Sequence, residues 1–230
     1  MYHNKKISVY LPCRNEAAHL QNIISKIPKF VDEVIIISNR STDNTMEMAQ
    51  KLGVRAIQDD REKGGIGYGF AHMTGLENST GDIVATADGD GTYPLEKLAE
   101  AIDFMLDQKK DFISCNRYPL QPGTKIPFKL QLGVNLLNWE VRLLYGLKIN
   151  DILSGMWLVR QDTIKHLGLT EGDWNLSPQI KLNAASTKDI NFSEFSIGQS
   201  LRLGQTKQNY WKTGFDHLRW IFKNRFTTSR

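Results

Sequence analysis

The sequence predicts an α/β protein with a doubly wound, mostly parallel central sheet and helices on both faces, and three observations predict it. Short apolar runs with a β-branched bias at Ile7-Ser8-Val9-Tyr10-Leu11, Val34-Ile35-Ile36-Ile37 and Ile83-Val84-Ala85-Thr86-Ala87 read as strands. Amphipathic stretches at helical spacing alternate with them, as a sheet built of βα units requires. Val34 to Ile37 is apolar without a break, the mark of a strand covered on both faces.

Taken in order, the first strand is broken by Pro12, and Asn15 stands where it can cap a helix whose Leu20, Ile23, Ile24 and Ile27 share one face. After the second strand, Ser41-Thr42-Asp43-Asn44-Thr45 supplies caps for a helix through Leu52. Val54 to Ile57 makes a third short strand, and the glycine-rich Lys63-Gly64-Gly65-Ile66-Gly67-Tyr68-Gly69 opens a helix carrying Phe70, Met73 and Leu76. A fourth unit starts at Asp82, and Leu95, Leu98, Ile102 and Met105 give its helix an apolar face. Asp111 to Cys115 is a further strand, after which Pro119, Pro122, Gly123 and Pro127 mark a long loop of the kind that is often functional. Leu130, Val134, Leu137, Val141 and Leu144 then trace a helical stripe widened by Leu132, Leu136 and Leu143, read first as a core face and second as a membrane face. Asp151 to Val159 reads as turn plus strand, Pro178 to Ala185 as a short helix and Ile190 to Ile197 as another strand.

The stretch Tyr210 to Phe226 reads as a basic amphipathic helix resting on a membrane. Phe215, Leu218, Ile221 and Phe222 fall at helical spacing, Trp220 stands where an indole favours an interface, and Lys212, Arg219, Lys223 and Arg225 supply cations for anionic headgroups. Docking of the same face on the protein's own sheet, or on a second subunit, is the competing reading.

A length of 230 residues allows a sizeable core, and no repeat, low-complexity tract or linker marks a domain boundary. The net charge of +4 is too small and too interspersed with acids to argue for nucleic acid, which leaves anionic small molecules and a membrane surface as partners. Cys13 and Cys115 are far apart without metal-ligand spacing, which suits a reducing compartment and excludes a structural zinc site. No apolar run approaches the ~20 residues needed to cross a bilayer, and the N-terminus leads straight into a strand rather than a signal sequence. A cytoplasmic chain is expected, peripheral at the inner membrane face if its last helix binds lipid.

Chemistry concentrates where the strand Ile83 to Ala87 runs out into Asp88-Gly89-Asp90-Gly91-Thr92-Tyr93-Pro94. Ligands of open α/β sheets bind at the C-terminal strand edge, and two acids one residue apart can both be aimed at a hard cation. Asp and Gly are also ordinary turn residues, so this stretch alone leaves a functional site and a polar turn equally open.

Six motifs taken together, in order and spacing, carry more. Leu11-Pro12-Cys13-Arg14-Asn15-Glu16, Ser41-Thr42-Asp43-Asn44-Thr45, Lys63-Gly64-Gly65-Ile66-Gly67, Asp88-Gly89-Asp90, Asp151-Ile152-Leu153-Ser154-Gly155 and Arg202-Leu203-Gly204-Gln205-Thr206-Lys207 resemble family 2 glycosyltransferases, nearest to the dolichyl-phosphate mannose synthase and polyprenyl-phosphate glycosyltransferase group. The resemblance implies a GT-A fold forming one domain, with residues 1–117 as a nucleotide-sugar-binding half, 118–207 as an acceptor half and 208–230 as the amphipathic helix. It further implies an inverting, metal-dependent transfer of a hexose from a GDP- or UDP-linked sugar to a polyprenyl or dolichyl phosphate at the cytoplasmic membrane face. Mg²⁺ or Mn²⁺ would lie between Asp88, Asp90 and the donor diphosphate, with Asp90 the stronger candidate for direct ligation.

By the same resemblance Pro12, Asn15 and Glu16 match the loop that holds the nucleoside, and Lys63 lies in a donor-side motif. Arg202 and Lys207 match positions serving the donor diphosphate, Arg202 also counting as catalytic. Arg117 matches an arginine on the acceptor phosphate, with Lys129 a further cation for it; the planar fork of arginine suits phosphate. Asp151 matches the base of relatives that act on hydroxyl acceptors, and a phosphate acceptor, already ionised, would leave it no such task. The sequence departs from the family at Ser38-Asn39, where an acid usually reads the nucleobase, and Asn39 offers an amide instead. It departs again at Asp173-Trp174-Asn175-Leu176-Ser177-Pro178, ahead of the acceptor-side helix. A hydroxyl-directed transferase, or a nucleotide-sugar-binding module without turnover, are the alternatives.

Overall fold

The central strands are apolar on both sides, and that fact sets the architecture. In the computed structural model, which describes residues 1–118, 120, 128–198 and 208–227, seven strands form one sheet. They are β1 (Ile7–Cys13), β2 (Glu33–Asn39), β3 (Arg55–Asp59), β4 (Ile83–Thr86), β5 (Phe112–Asn116), β6 (Trp157–Arg160) and β7 (Phe192–Ser196). Their spatial order is β3-β2-β1-β4-β6-β5-β7. β1 pairs in parallel with β2 (Val9 opposite Val34) and with β4 (Val9 opposite Ala85), so the order reverses between β1 and β4. That reversal opens a crevice at the C-terminal ends of two neighbouring strands, where ligands of open α/β sheets bind. β6 runs against both neighbours, with Val84 opposite Val159 and Ile113 opposite Leu158, which makes the sheet mostly rather than wholly parallel.

Alternation along each strand sends side chains to two separate cores. Val9, Leu11, Ile36 and Ala85 pack on one face against α1 (Leu20–Ser25), α2 (Thr45–Lys51) and α4 (Leu98–Asp107). Leu95, Leu98, Ile102 and Met105 are all buried there, as their spacing predicts. Tyr10, Ile35, Ile37, Val84 and Trp157 pack on the other face against α3 (Tyr68–Asn78) and α6 (Leu176–Ser186). A third cluster joins α5 (Phe128–Tyr145) to α7 (Tyr210–Thr227) through Leu137, Val141 and Ile221, with Leu182 of α6 beneath them.

Three local expectations change. Asn15 caps no helix: it adopts a left-handed backbone (φ 56°), its amide oxygen accepts from the Thr42 N–H at 2.7 Å, and α1 begins only at Leu20. Of the wide stripe on α5, Val134, Leu137 and Val141 are buried, whereas Leu132, Leu136 and Leu143 are exposed because only one side of the helix meets the body. On α7 the expected apolar face divides: Ile221 is buried and Leu218 half-buried against α5, and Phe215 and Phe222 face outward. Trp220 is tied to the protein, its indole N–H donating to Glu171 Oε1 at 2.9 Å.

The two helices run side by side in the same direction. The Lys129 ammonium lies 5.9 Å over the Trp211 ring at one end, and Tyr145 Oη donates to the Ile221 carbonyl at 2.9 Å at the other. Phe128, Leu132, Leu136, Trp139 and Leu143 are exposed along α5, and Trp211, Phe215, Phe222 and Phe226 along α7. Among the described residues no helix is long and apolar enough to cross a membrane.

Candidate active site

The crevice at the strand reversal is built by backbone before side chains enter it. The Gly89 N–H donates to the Pro12 carbonyl at 3.1 Å, stitching the loop after β4 to the end of β1. A side chain at Gly89 would meet Cys13 Sγ at 2.3 Å, so only glycine permits this approach. Gly155 is equally constrained, since a Cβ there would lie 2.6 Å from an oxygen of Asp88. The result is a cleft lined by Pro12, Glu16, Asn39, Tyr68, Asp88, Asp90 and Trp174, among others.

Asp88 is half-buried and accepts from the Tyr68 hydroxyl at 3.4 Å; burial holds that hydroxyl's pKa well above its ordinary value, so it stays a donor. Asp90 is buried, and its Oδ1 accepts from the backbone N–H of Thr92 at 2.9 Å and from the Thr92 hydroxyl. Both are hard oxygen ligands suited to Mg²⁺ or Mn²⁺. Among the described residues no group of three or more acids, histidines or cysteines could hold a metal alone. The two carboxylates line the same cleft and could serve as ligands to such a cation.

Asn39, at the end of β2, is 5% exposed, and its Nδ2 donates to the carbonyls of Asp59 at 2.8 Å and Arg61 at 3.1 Å. Turning the amide over would set its oxygen against two carbonyl oxygens, so the orientation is chemically fixed. With both hydrogens engaged, the amide can offer the cleft only an acceptor. Glu16 lines the cleft at 3% exposure, its backbone N–H donating to Thr45 Oγ1 at 3.0 Å. Asp43 accepts from the Ala17 N–H at 3.1 Å, so the turns after β1 and β2 hold each other. Asn15 belongs to this lacing; it is exposed and does not line the cleft. Lys63 also stands aside: its ammonium pairs with Glu171 and, at 3.4 Å, with Asp173, and the Glu171 bond raises its pKa.

Arg117, matched by resemblance to an acceptor-binding arginine, and Asp151 form one buried ion pair. Arg117 Nε donates to Asp151 Oδ2 at 2.6 Å, Nη2 to Oδ1 at 2.8 Å, and the Arg117 backbone N–H to Oδ2 at 3.1 Å. Arg117 is 8% exposed and Asp151 fully buried. Burial alone would lower the guanidinium pKa, but the Asp151 carboxylate more than offsets it and leaves it well above the ordinary value. Both Asp151 oxygens accept from Arg117, so the carboxylate is the counter-charge that holds the guanidinium in place.

Sequence reasoning missed Tyr93, which joins the two halves. Its hydroxyl accepts from the Gly155 N–H at 2.5 Å, and its ring lies 6.0 Å from the Arg117 guanidinium carbon. An aromatic residue just past the acidic motif was the available signal. Lys129 is exposed on the first turn of α5, its ammonium over Trp211. Arg202 and Lys207 lie outside the described residues.

The low-salt glycan biosynthesis hexosyltransferase Agl6 of Haloferax volcanii is 25% identical over 225 residues, which are 95% of this chain and 53% of that protein. The present chain thus spans about half the length of that relative. A dolichyl-phosphate hexose transferase of the same organism is 26% identical, covering 87% of this chain and 86% of its own. The dolichol-phosphate mannosyltransferase of Pyrococcus furiosus is 26% identical over 95% of this chain and 63% of its own. Among solved structures, glucosyl-3-phosphoglycerate synthase of Mycobacterium tuberculosis with Mn²⁺, UDP and phosphoglyceric acid superposes with a TM-score of 0.76 at 18% identity. That match covers 98% of this chain and 80% of the synthase and shows the shared GT-A fold. The model of glycosyl transferase family 2 matches residues 8–168, well over half the chain, and this protein belongs to that family.

Proposed function

We propose that this glycosyltransferase moves a hexose, with inversion, from a UDP- or GDP-linked sugar to a polyprenyl or dolichyl phosphate at the cytoplasmic face of a membrane. The buried Arg117–Asp151 pair carries the reading. Asp151 fixes the fork of Arg117, and beyond the two side-chain N–H groups given to Asp151 the guanidinium has three more to offer an anion. A phosphate acceptor is ionised before it binds and attacks without a general base, which agrees with a carboxylate engaged in a salt bridge. Dolichyl-phosphate transferases among the relatives support the same acceptor class.

On the donor side, the fixed acceptor at Asn39 suits a base that presents a ring N–H between carbonyls, as uracil does, or beside one, as guanine does. Asp90, with Asp88, would hold Mg²⁺ or Mn²⁺, and when bound the cation stabilises negative charge on the departing diphosphate. Pro12 and Glu16 border the nucleoside, and Arg202 and Lys207 add charge for the diphosphate. Attack from the face opposite the leaving group gives inversion. Residues 1–117 serve the donor and 118–207 the acceptor. The exposed apolar rows of α5 and α7, flanked by Lys129, Lys212, Arg219 and Lys223, rest on the lipid that carries the acceptor.

A soluble acceptor is the second reading, favoured by the phosphoglyceric acid bound in the synthase of the same fold. The test incubates the protein with Mn²⁺, UDP- and GDP-linked hexoses, and vesicles with or without polyprenyl phosphate. Labelled hexose extracted with lipid is expected; sugar appearing only on soluble hydroxyl compounds would overturn the lipid acceptor.

A further inference from the structure

Lys181 is fully buried in α6, yet its ammonium is completely surrounded by acceptors. Nζ donates to the carbonyls of Ile152 at 3.0 Å, Ser154 at 2.6 Å and Ser177 at 3.0 Å, and to Ser177 Oγ at 3.0 Å. Four oxygens facing one nitrogen need three hydrogens on it, because a neutral amine would turn its lone pair toward an oxygen. The indole of Trp157 closes the pocket, its ring 5.7 Å from Nζ. Two of the acceptors belong to the first turn of α6 and two to the loop of residues 151–155, so the ammonium clips the loop to the helix.

That loop connects the two ends of the site. At its start, Asp151 holds Arg117; at its end, the Gly155 N–H donates to Tyr93 at 2.5 Å and the glycine packs against the Asp88 carboxylate. Between them the Ser154 hydroxyl donates to the Cys115 carbonyl, and Ser177 Oγ donates to the Ser154 carbonyl at 3.3 Å. We propose that Lys181 is a positioning residue for the transfer: its ammonium fixes the loop of residues 151–155 and thereby the placement of Arg117 relative to Asp88. Burial presses the ammonium down to about 7, Asp151 pulling the other way, so the charge is held against the preference of its surroundings. A buried methionine would fill the same volume without that cost, so the acceptor geometry supplies a reason for lysine here.

The inference rests on the transferase reading, and the experiment separates the two. Lys181→Met keeps most of the side chain's volume and removes the donor. Hydrogen exchange, which needs no substrate, is expected to speed up at least tenfold at the amides of residues 151–155 and Arg117 while the strands stay protected. In the transfer assay, kcat/KM for the acceptor should fall at least tenfold with nucleotide affinity in Mn²⁺ within threefold of wild type. In an Arg117→Ala background the same substitution should add less than threefold. Should Lys181→Met fail to fold, Ser177→Ala removes one acceptor and should give the same pattern at a few-fold. Unchanged exchange and kinetics, equal losses of nucleotide and acceptor, or fully additive losses would overturn the role of Lys181. Faster loop exchange in a protein whose wild type glycosylates no lipid phosphate would overturn the acceptor instead.

Discussion

Arg117 and Asp151 form a two-pronged ion pair at 2.6 and 2.8 Å across 34 positions of sequence, with the carboxylate fully buried. Breaking one side of such a pair leaves an uncompensated buried charge. Asp151→Asn is expected to lower unfolding stability by about 3 kcal/mol and to raise the acceptor KM while leaving residual turnover. Urea denaturation and steady-state kinetics check both. A stable variant with normal acceptor KM and no turnover would assign Asp151 as a base instead.

Asp90→Ala is expected to abolish the Mn²⁺-dependent part of nucleotide binding in calorimetry. The fold should survive, because the acid sits just past a strand end and bonds to Thr92 two residues on. Loss of that short-range cap costs about 1 kcal/mol. Nucleotide binding with unchanged metal dependence would remove Asp90 from the metal site.

The nucleobase prediction follows from Asn39. With Mn²⁺ present, UDP and GDP should raise the melting temperature by mass action, and CDP and ADP, whose corresponding ring nitrogens carry no hydrogen, should do so far less. Asn39→Asp should weaken UDP binding, because a carboxylate would face the carbonyls of Asp59 and Arg61. Equal stabilisation by all four nucleotides would sink the assignment.

Two buried histidines make stability depend on acid. Burial, reinforced by the Lys181 charge, lowers His217 to about 4 and His72 well below its ordinary value. Unfolded histidine binds its proton near 6.5, so between about 6.5 and 4 the unfolded chain holds more protons and stability falls as the pH falls. Each histidine contributes a slope of about 1.4 kcal/mol per pH unit inside that window. Urea midpoints at pH 7.5, 6 and 5 should drop accordingly, and His217→Gln should roughly halve the slope.

The exposed rows on α5 and α7 predict lipid binding that is separable from catalysis. Leu136→Glu combined with Phe215→Glu should abolish sedimentation with anionic vesicles and leave nucleotide binding unchanged. Persistent sedimentation of the double variant would mean that other surfaces hold the membrane.

The sheet was legible because strands covered on both faces announce themselves, as Val34 to Ile37 does, and because α4 carries a clean apolar stripe. The reversed direction of β6 was not, since a four-residue strand has no signature of orientation. Asp88, Asp90, Glu16 and Arg117 were named by the family resemblance, and the structure brings the first three to one cleft. What spacing could not reveal was who holds whom. The grip of Arg117 on Asp151, the bonds that orient Asn39, and Lys181 inside α6 depend on residues far apart in sequence. Exposed Leu132, Leu136 and Leu143 were misjudged for a related reason: helical periodicity identifies apolar sides, and only the neighbouring elements decide which is covered.

The direction of β6 has a consequence for how the chain acquires its site. β3, β2, β1 and β4 are contiguous in space and are complete by residue 86, so they can assemble early from short-range βα units. β5 is made next but does not touch β4; Trp157–Arg160 must arrive and insert between them before the sheet closes. Until then the edge of β4 is unpaired, Arg117 lacks its carboxylate, and Asp88 lacks the glycine that packs on it. Closing the sheet around Arg117 and Asp88 therefore depends on long-range pairing rather than on short βα units.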